Sequence, residues 1–273
     1  MRSFLVAAVQ VKSGPDKGDN LEKACTWVRA AASQGADLVA LPEVFSWRGA
    51  PERSGSEAEP IPGRTTDLMS GLARELGIHL VAGSILEQGV PASPHDLPFN
   101  TTTLFGPDGS LLALYRKIHL FDVDLPGKVT VRESALRRAG DEVVTARTAL
   151  GTIGLAVCYD LRFPELFRRL ADAGAEIVVM PSAFTRTTGQ AHWEPLVRAR
   201  AIENQCFMVA PNQFGAGPHG FADYGNSLVV DPWGEVIARG PDDDAAVVSA
   251  RLDAGVLERV RRELPSLRHR RLA

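Results

Sequence analysis

Short apolar runs alternate with stretches of helical periodicity along most of the chain, and this alternation restricts the fold more than any other feature. Phe4–Gln10 and residues 37–41, 79–84, 100–105, 111–115, 152–158 and 177–180 are each too short for a stable helix and rich enough in apolar side chains to be strands. Between them, Leu21, Ala24, Cys25, Val28 and Ala31 fall on one face of a helix, and Leu68, Leu72 and Leu76 do so on a second. Leu166, Phe167 and Leu170 mark a third, and Trp193, Leu196, Val197 and Ala201 a fourth. Strands follow at Phe207–Ala210 and at residues 226–230, 235–238 and 247–251, before a last helix with Val256, Leu257, Val260 and Leu264 inward. Strands interleaved with helices predict a layered α/β architecture. The turn sequences Gly106-Pro-Asp-Gly109 and Asp231-Pro-Trp-Gly234 each join two strands as a hairpin, so the sheet is mixed and not purely parallel. Without a repeat or a linker-like tract, residues 1–273 are expected to form a single domain; the least regular stretch, residues 46–63, is long enough to be a functional loop.

Bulk properties exclude several classes of function. With 45% hydrophobic residues in 273, the chain can bury a large core. A net charge of −3 with interspersed acids and bases offers no footprint for nucleic acid or an anionic membrane. The one basic cluster, Arg259, Arg261, Arg262, Arg268, Arg270 and Arg271, is interleaved with Glu258 and Glu263 and reads as a solvated or subunit-contacting surface. Three cysteines make an odd count, which argues against a disulfide framework and for a reducing cytoplasm. The apolar start is followed by Gln10 and Lys12, as a first strand is, and no apolar stretch approaches the ~20 residues of a membrane span. No cysteine and histidine spacing suits a metal, and no glycine-rich loop follows a strand to cradle phosphate, so neither a metal nor a nucleotide cofactor is expected.

The residues able to do chemistry sit at strand ends. Cys158 follows the apolar Gly151-Thr-Ile-Gly-Leu-Ala-Val157 and precedes Tyr159-Asp-Leu-Arg-Phe-Pro-Glu165, which reads as the first turn of a helix. A thiol there is held rigidly, and free helical N–H groups favour its thiolate, although a cysteine after Val157 equally suits the core. Glu43 follows Leu38-Val-Ala-Leu-Pro42 at the carboxyl edge of a strand, where ligand sites gather in α/β sheets; a carboxylate at a partly dry site is a candidate base, and in a wet loop merely a surface charge. Lys117, in Tyr115-Arg-Lys-Ile-His-Leu-Phe-Asp122, is flanked by apolar residues, which suits an ammonium that stabilises an oxyanion. His119 competes as a base for Cys158 but has no second signal for such a pair, and Glu133 alone is a surface charge or a partner for the lysine or a substrate nitrogen. Arg162, four residues after the cysteine, suits a carboxylate clamp as well as it suits an ion pair with Glu165.

Together, Leu41-Pro-Glu43, Tyr115-Arg-Lys117-Ile-His-Leu-Phe-Asp and Cys158-Tyr-Asp-Leu-Arg-Phe-Pro-Glu resemble the three signatures of the nitrilase, or carbon-nitrogen hydrolase, superfamily, in its order and with its separations. Met180-Pro-Ser-Ala-Phe184, Ala191-His-Trp-Glu194, Arg198-Ala-Arg-Ala-Ile-Glu-Asn204 and Asp231-Pro-Trp-Gly-Glu235 extend the likeness over essentially the whole chain. Phe121-Asp-Val-Asp-Leu-Pro-Gly-Lys-Val-Thr-Val-Arg-Glu-Ser134 is most similar to the branch containing deaminated-glutathione amidase and omega-amidase, with Gln190 a departure where that branch often has proline. The resemblance implies a four-layer α-β-β-α sandwich of two mixed sheets, acting as a homodimer or higher homo-oligomer without a cofactor. It implies Glu43 as general base, Lys117 and the Tyr159 N–H as oxyanion donors, Cys158 as nucleophile and Glu133 as a second glutamate, with Phe184, His192 and Trp193 at or beside a substrate pocket. The implied reaction is hydrolysis of a small carboxylate-bearing amide through a Cys158 thioester, with release of ammonia. Another carbon-nitrogen hydrolase activity (nitrilase, aliphatic amidase or N-carbamoyl amide hydrolase) and a non-catalytic binding protein on the same scaffold are the rival readings.

Overall fold

Strand β1 (Phe4–Gln10) shows why the apolar runs carry so few polar residues. Val6 and Ala8 enter one core and Ala7 and Val9 another, because successive side chains point to opposite faces and both faces are covered. The computed structural model describes residues 1–89, 97–218 and 220–272. One sheet holds β1, β2 (Leu38–Ala40), β3 (His79–Val81), β4 (Ile85–Glu87), β5 (Phe99–Phe105) and β6 (Leu111–Arg116), with β17 (Ala246–Leu252) returning from the far end of the chain to pair with β1. Two short ribbons stand apart: β7 (Asp122–Leu125) with β8 (Val129–Arg132), and β13 (Phe214–Ala216) with β14 (Ala222–Tyr224). The second sheet holds β9 (Thr145–Arg147), β10 (Thr152–Leu155), β11 (Ile177–Val179), β12 (Phe207–Ala210), β15 (Leu228–Val230) and β16 (Val236–Arg239). Each sheet is mixed: β1, β2 and β3 run parallel, as do β10, β11 and β12, and antiparallel strands flank both sets.

Val6, Ala8, Leu38 and Ala40 of the first sheet and Ile153, Leu155 and Val229 of the second share one apolar cluster. Helices α1 (Lys17–Ser33) and α2 (Arg64–Leu76) cover the outer face of the first sheet through Ala24, Val28, Met69 and Leu72. Helices α3 (Pro164–Asp172) and α4 (Arg186–Asn204) cover the second through Phe167, Leu170, Val197 and Ala201. The result is the expected four-layer α-β-β-α sandwich. Both turn sequences close hairpins, β5 to β6 and β15 to β16.

Several local expectations need correction. The buried stripe of α2 is Thr65, Thr66, Met69, Leu72 and Ala73, so Leu68, about 100° around the helix from Met69, faces solvent. Helix α5 (Ala254–Glu263) buries Leu257 and Val260 but ends before Leu264, which is exposed. Cys25 lies at the margin of its core, half-buried. Arg261 of the basic cluster is half-buried: it donates to the carbonyls of Ala175 (2.9 Å) and Gln205 (3.0 Å) and ties α5 to the segments that lead into β11 and β12. Strand β10 stops at Leu155, and Cys158 opens a 3-10 turn, Cys158–Arg162, before α3 begins at Pro164. Proline at the first helical position suits the start of α3 and holds Phe163 extended, which separates the turn from the helix.

Candidate active site

Glu43, Lys117 and Cys158 come together because three strands end at one edge of the sandwich: Glu43 follows β2, Lys117 follows β6 and Cys158 follows β10. The Glu43 turn requires an unusually close neighbour. A side chain at Gly83 would meet the carbonyl oxygen of Pro42 at 2.2 Å, so only glycine lets the chain after β3 pass here. Val44 and Cys158 both occupy the left-handed region, with φ of 47° and 46°, which neither residue type adopts without strain. Hydrogen bonds hold both: the Val44 N–H donates to Ser84 Oγ (2.9 Å) and the Cys158 N–H to the Pro181 carbonyl (2.9 Å).

The Glu43 carboxylate is the hub. It accepts from Lys117 Nζ (3.0 Å) and Asn100 Nδ2 (2.8 Å) at Oε1 and from the Ala183 N–H (2.9 Å) at Oε2, and its charge acts on the Cys158 thiol, which shares the same cavity wall. Lys117 is buried and also donates to Glu133 Oε2 (2.8 Å), which in turn accepts from the Phe121 N–H (2.6 Å). Burial alone would lower the proton affinity of Lys117, but the Glu133 and Glu43 carboxylates outweigh it and hold the ammonium well above the usual lysine range. The lysine is therefore a fixed cation. For Cys158 the balance goes the other way: burial pushes the thiol well up, Glu43 adds to that, and Lys117 opposes it less strongly. This corrects the expectation of a helix-stabilised thiolate. The five-residue turn is not an α-helix, and desolvation outweighs whatever its N–H groups contribute.

His119 is occupied elsewhere. Its Nδ1 lies 2.7 Å from Asp160 Oδ1 and its ring stacks on Phe163 at 3.7 Å. Asp160, fully buried, also accepts from Tyr115 Oη (2.7 Å) and the Val157 N–H (2.8 Å), which pins the turn that carries the cysteine.

Glu43, Lys117 and Cys158 line a cavity of about 140 Å³, with Trp47, Phe121, Tyr159, Phe184 and Phe221 as its aromatic lining. Arg162 lines it with no acidic partner among the described residues; Nη1 lies 3.2 Å from His192 Nδ1, and the guanidinium lies over the rings of Phe184 and Tyr159. His192 and Trp193 do not line the cavity. Trp193 is 0% exposed, donates from Nε1 to the Asn226 carbonyl (2.7 Å), and supports Phe184 from behind with ring centroids 5.0 Å apart. The loop at residues 46–63 contributes Trp47, Arg48, Gly49 and Pro51, and Arg48 is held there by a buried ion pair to Asp223 of β14.

Sequence reasoning missed Asn100, the Ala183 N–H and Arg137. Asn100 begins a buried Asn-Thr-Thr-Thr run inside β5, and polar side chains in a strand covered on both sides were the available signal. Among the described residues, no group of three or more His, Cys, Asp or Glu side chains is placed to hold a metal, and no helix is long and apolar enough to cross a membrane.

A buried carboxylate bonded to an ammonium, with a thiol on the same small cavity, has the parts needed for acyl transfer. Known proteins with this sequence pattern agree. Human omega-amidase NIT2 is 41% identical over 271 residues, covering 99% of this chain and 96% of that protein. Mouse deaminated glutathione amidase is 44% identical over 269 residues, covering 98% and 83%. The Caenorhabditis elegans NitFhit structure superposes with a TM-score of 0.90 at 36% identity, over 99% of this chain and 66% of that longer one. Saccharomyces cerevisiae Nit3, described as a member of branch 10 of the nitrilase superfamily, gives 0.86 at 34% identity, over 97% and 95%. Residues 5–262 match the profile of the carbon-nitrogen hydrolases, and with that match the chain is placed: it belongs to the carbon-nitrogen hydrolase family and is an amidase.

Proposed function

We propose that the protein hydrolyses a small amide bearing a carboxylate, of the α-keto acid ω-amide or deaminated-glutathione type, through a thioester on Cys158. The observation that carries this reading is the meeting of Glu43, Lys117 and Cys158 at one cavity, with the Glu43 carboxylate bonded to the Lys117 ammonium and its charge acting on the Cys158 thiol. Glu43 takes the thiol proton as sulfur attacks the carbonyl carbon. Negative charge on the carbonyl oxygen is met by Lys117 and by the Tyr159 N–H, which has no partner among the described residues. Protonated Glu43 then gives its proton to the leaving nitrogen as the C–N bond breaks. Water, deprotonated by the same carboxylate, cleaves the thioester and restores the thiol. Because the resting cysteine is a protonated thiol, Glu43 must act at the moment of attack and not merely orient a preformed thiolate. Glu133 holds Lys117 in place.

The relatives' names, omega-amidase and deaminated glutathione amidase, support a carboxylate-bearing acyl group, and the presence of Arg162 in the cavity wall supports it as the receiving residue. Three free thiols accord with a reducing cytoplasm. Trp233 and Ile202, exposed and joined through Gly234, offer an apolar patch that a second copy in a homodimer would cover. We treat residues 1–273 as one hydrolase domain.

The test is intact-mass detection of an acyl adduct on Cys158 during turnover of an α-keto acid ω-amide, together with measurement of the products. Acid and ammonia, or acid and amine, are expected. Preferential turnover of nitriles, or release of carbon dioxide from carbamoyl compounds, would reassign the substrate within the family, and turnover without an acyl-enzyme would sink the mechanism.

A further inference from the structure

Two side chains at the site each bridge the same pair of carboxylates. Lys117 Nζ donates to Glu43 Oε1 (3.0 Å) and to Glu133 Oε2 (2.8 Å). Asn100 Nδ2 donates to Glu43 Oε1 (2.8 Å) and, at longer range, to Glu133 Oε1 (3.4 Å), which closes a ring of four side chains. Three members of the ring have a part in the reaction proposed above, and Asn100 has none. Its carboxamide can sit only one way round, because Nδ2 can face two carboxylates and Oδ1 cannot. Oδ1 is buried with no partner among the described residues, so the side chain serves by donation alone. A buried acceptor left unpaired costs stability, which argues against a purely structural use. The main chain fixes its place: Asn100 lies in β5, and its carbonyl accepts the Lys117 N–H (2.9 Å).

Counting acceptor sites on Glu43 shows where a proton can go. Each carboxylate oxygen has two lone pairs. Lys117 and Asn100 take both on Oε1, whereas on Oε2 the Ala183 N–H (2.9 Å) takes one and leaves one. Ala183 follows β11 in the segment Pro181-Ser182-Ala183, and the Pro181 carbonyl accepts the Cys158 N–H (2.9 Å). Oε2 is therefore the oxygen turned to the segment that supports the nucleophile.

We propose that Asn100 is a positioning residue for the hydrolysis: with Lys117 it fills Glu43 Oε1, and so reserves Oε2 for the proton that Cys158 gives up. The role rests on the amidase mechanism above and deepens it. The S–H bond breaks, its proton goes to Oε2 and its electron pair forms the S–C bond. The same oxygen returns the proton to the leaving nitrogen as the C–N bond breaks. Asn100 touches neither substrate nor sulfur in this scheme and acts only through Glu43.

The test is steady-state hydrolysis of an α-keto acid ω-amide from about pH 5 to pH 9 by wild type, Asn100→Leu and Asn100→Asp, with thermal unfolding of each. Asn100→Leu keeps the volume and removes the donor; kcat should fall about ten- to a hundred-fold at every pH, with KM within about three-fold. Asn100→Asp donates only while its new carboxyl is protonated, so its kcat should fall as pH rises, along a limb that neither of the others shows. The charged groups facing that carboxyl are Glu43, Lys117 and Glu133, with Arg48, Arg137 and the Cys158 thiol also on the cavity wall. Glu87 and Arg116 bond each other on the side of β5 to which Thr101 points. A kcat for folded Asn100→Leu within about three-fold of wild type, a rise in KM at constant kcat, or an Asn100→Asp profile parallel to wild type would overturn the role and leave the amidase reading intact. Turnover by wild type without an acyl adduct on Cys158 would remove both. If Asn100→Leu does not fold, the limb of Asn100→Asp decides.

Discussion

Two cysteines in this molecule are buried, and burial acts on both in the same direction. Cys206, between α4 and β12, has its thiol pushed up to about 12, chiefly by desolvation. Cys158 is also pushed well up and chiefly by desolvation. Neither is a ready thiolate. Their surroundings differ instead: Cys206 sits against core side chains and lies 4.0 Å from the Arg200 carbonyl, whereas Cys158 feels the charges of the Glu43 carboxylate and the Lys117 ammonium and opens on a cavity. Acidity of the resting thiol therefore does not separate a reactive cysteine from an inert one here. A base within reach of the sulfur does.

The sharpest way to break this comparison is to remove each sulfur in turn. Cys158→Ala should drop amide turnover by about a million-fold, to background, as expected for loss of a nucleophile. Cys206→Ala should leave kcat within about two-fold and cost about 1 kcal/mol in denaturant unfolding. Comparable activity losses in the two variants would show that burial and not placement matters. Next in size, Lys117→Ala should lower kcat by about a hundred- to a thousand-fold, the cost of one oxyanion donor. A smaller effect is kinetic. Iodoacetamide labelling of Cys158 should climb steadily with pH up to about pH 9 and show no plateau near neutrality, because the raised proton affinity keeps the thiolate scarce. A plateau at neutral pH would mean a preformed thiolate. Smallest is the effect of Cys206 on alkaline stability. Its proton is held more tightly in the folded chain than in the unfolded one, so its contribution is whole below pH 9 and is lost as pH rises towards 12. Cys206→Ala should therefore lose less stability across that window than wild type, as read from denaturant midpoints.

Much of the site was legible because strand ends are. Runs such as Leu38-Val-Ala-Leu-Pro42 show where a buried strand must stop, and the residue after the stop lies at the sheet's edge, which located Glu43, Lys117 and Cys158. Direction was harder. Helical periodicity puts Trp193 inward, but inward means against Phe184 and the sheet and not into the cavity. Nothing in Arg137-Arg138 says which of the two turns in, because that depends on how the chain leaves the turn at Glu133–Ala135. The charge state of Cys158 was misjudged because an assumed helix end weighs less than actual desolvation, and desolvation depends on partners distant in sequence. Leu68 failed for a simpler reason: three leucines four residues apart define a stripe only to within about one residue, and Met69 sits nearer its centre.

The left-handed backbone at Cys158 implies that this fold would be more secure without its nucleophile. A non-glycine residue held there costs on the order of 1–3 kcal/mol, comparable to a sizeable fraction of the margin by which a domain stays folded. Glycine at this position would relieve the strain and abolish the chemistry at the same time. Selection for robustness alone would erode the sulfur, so the cysteine persists only where its activity is needed.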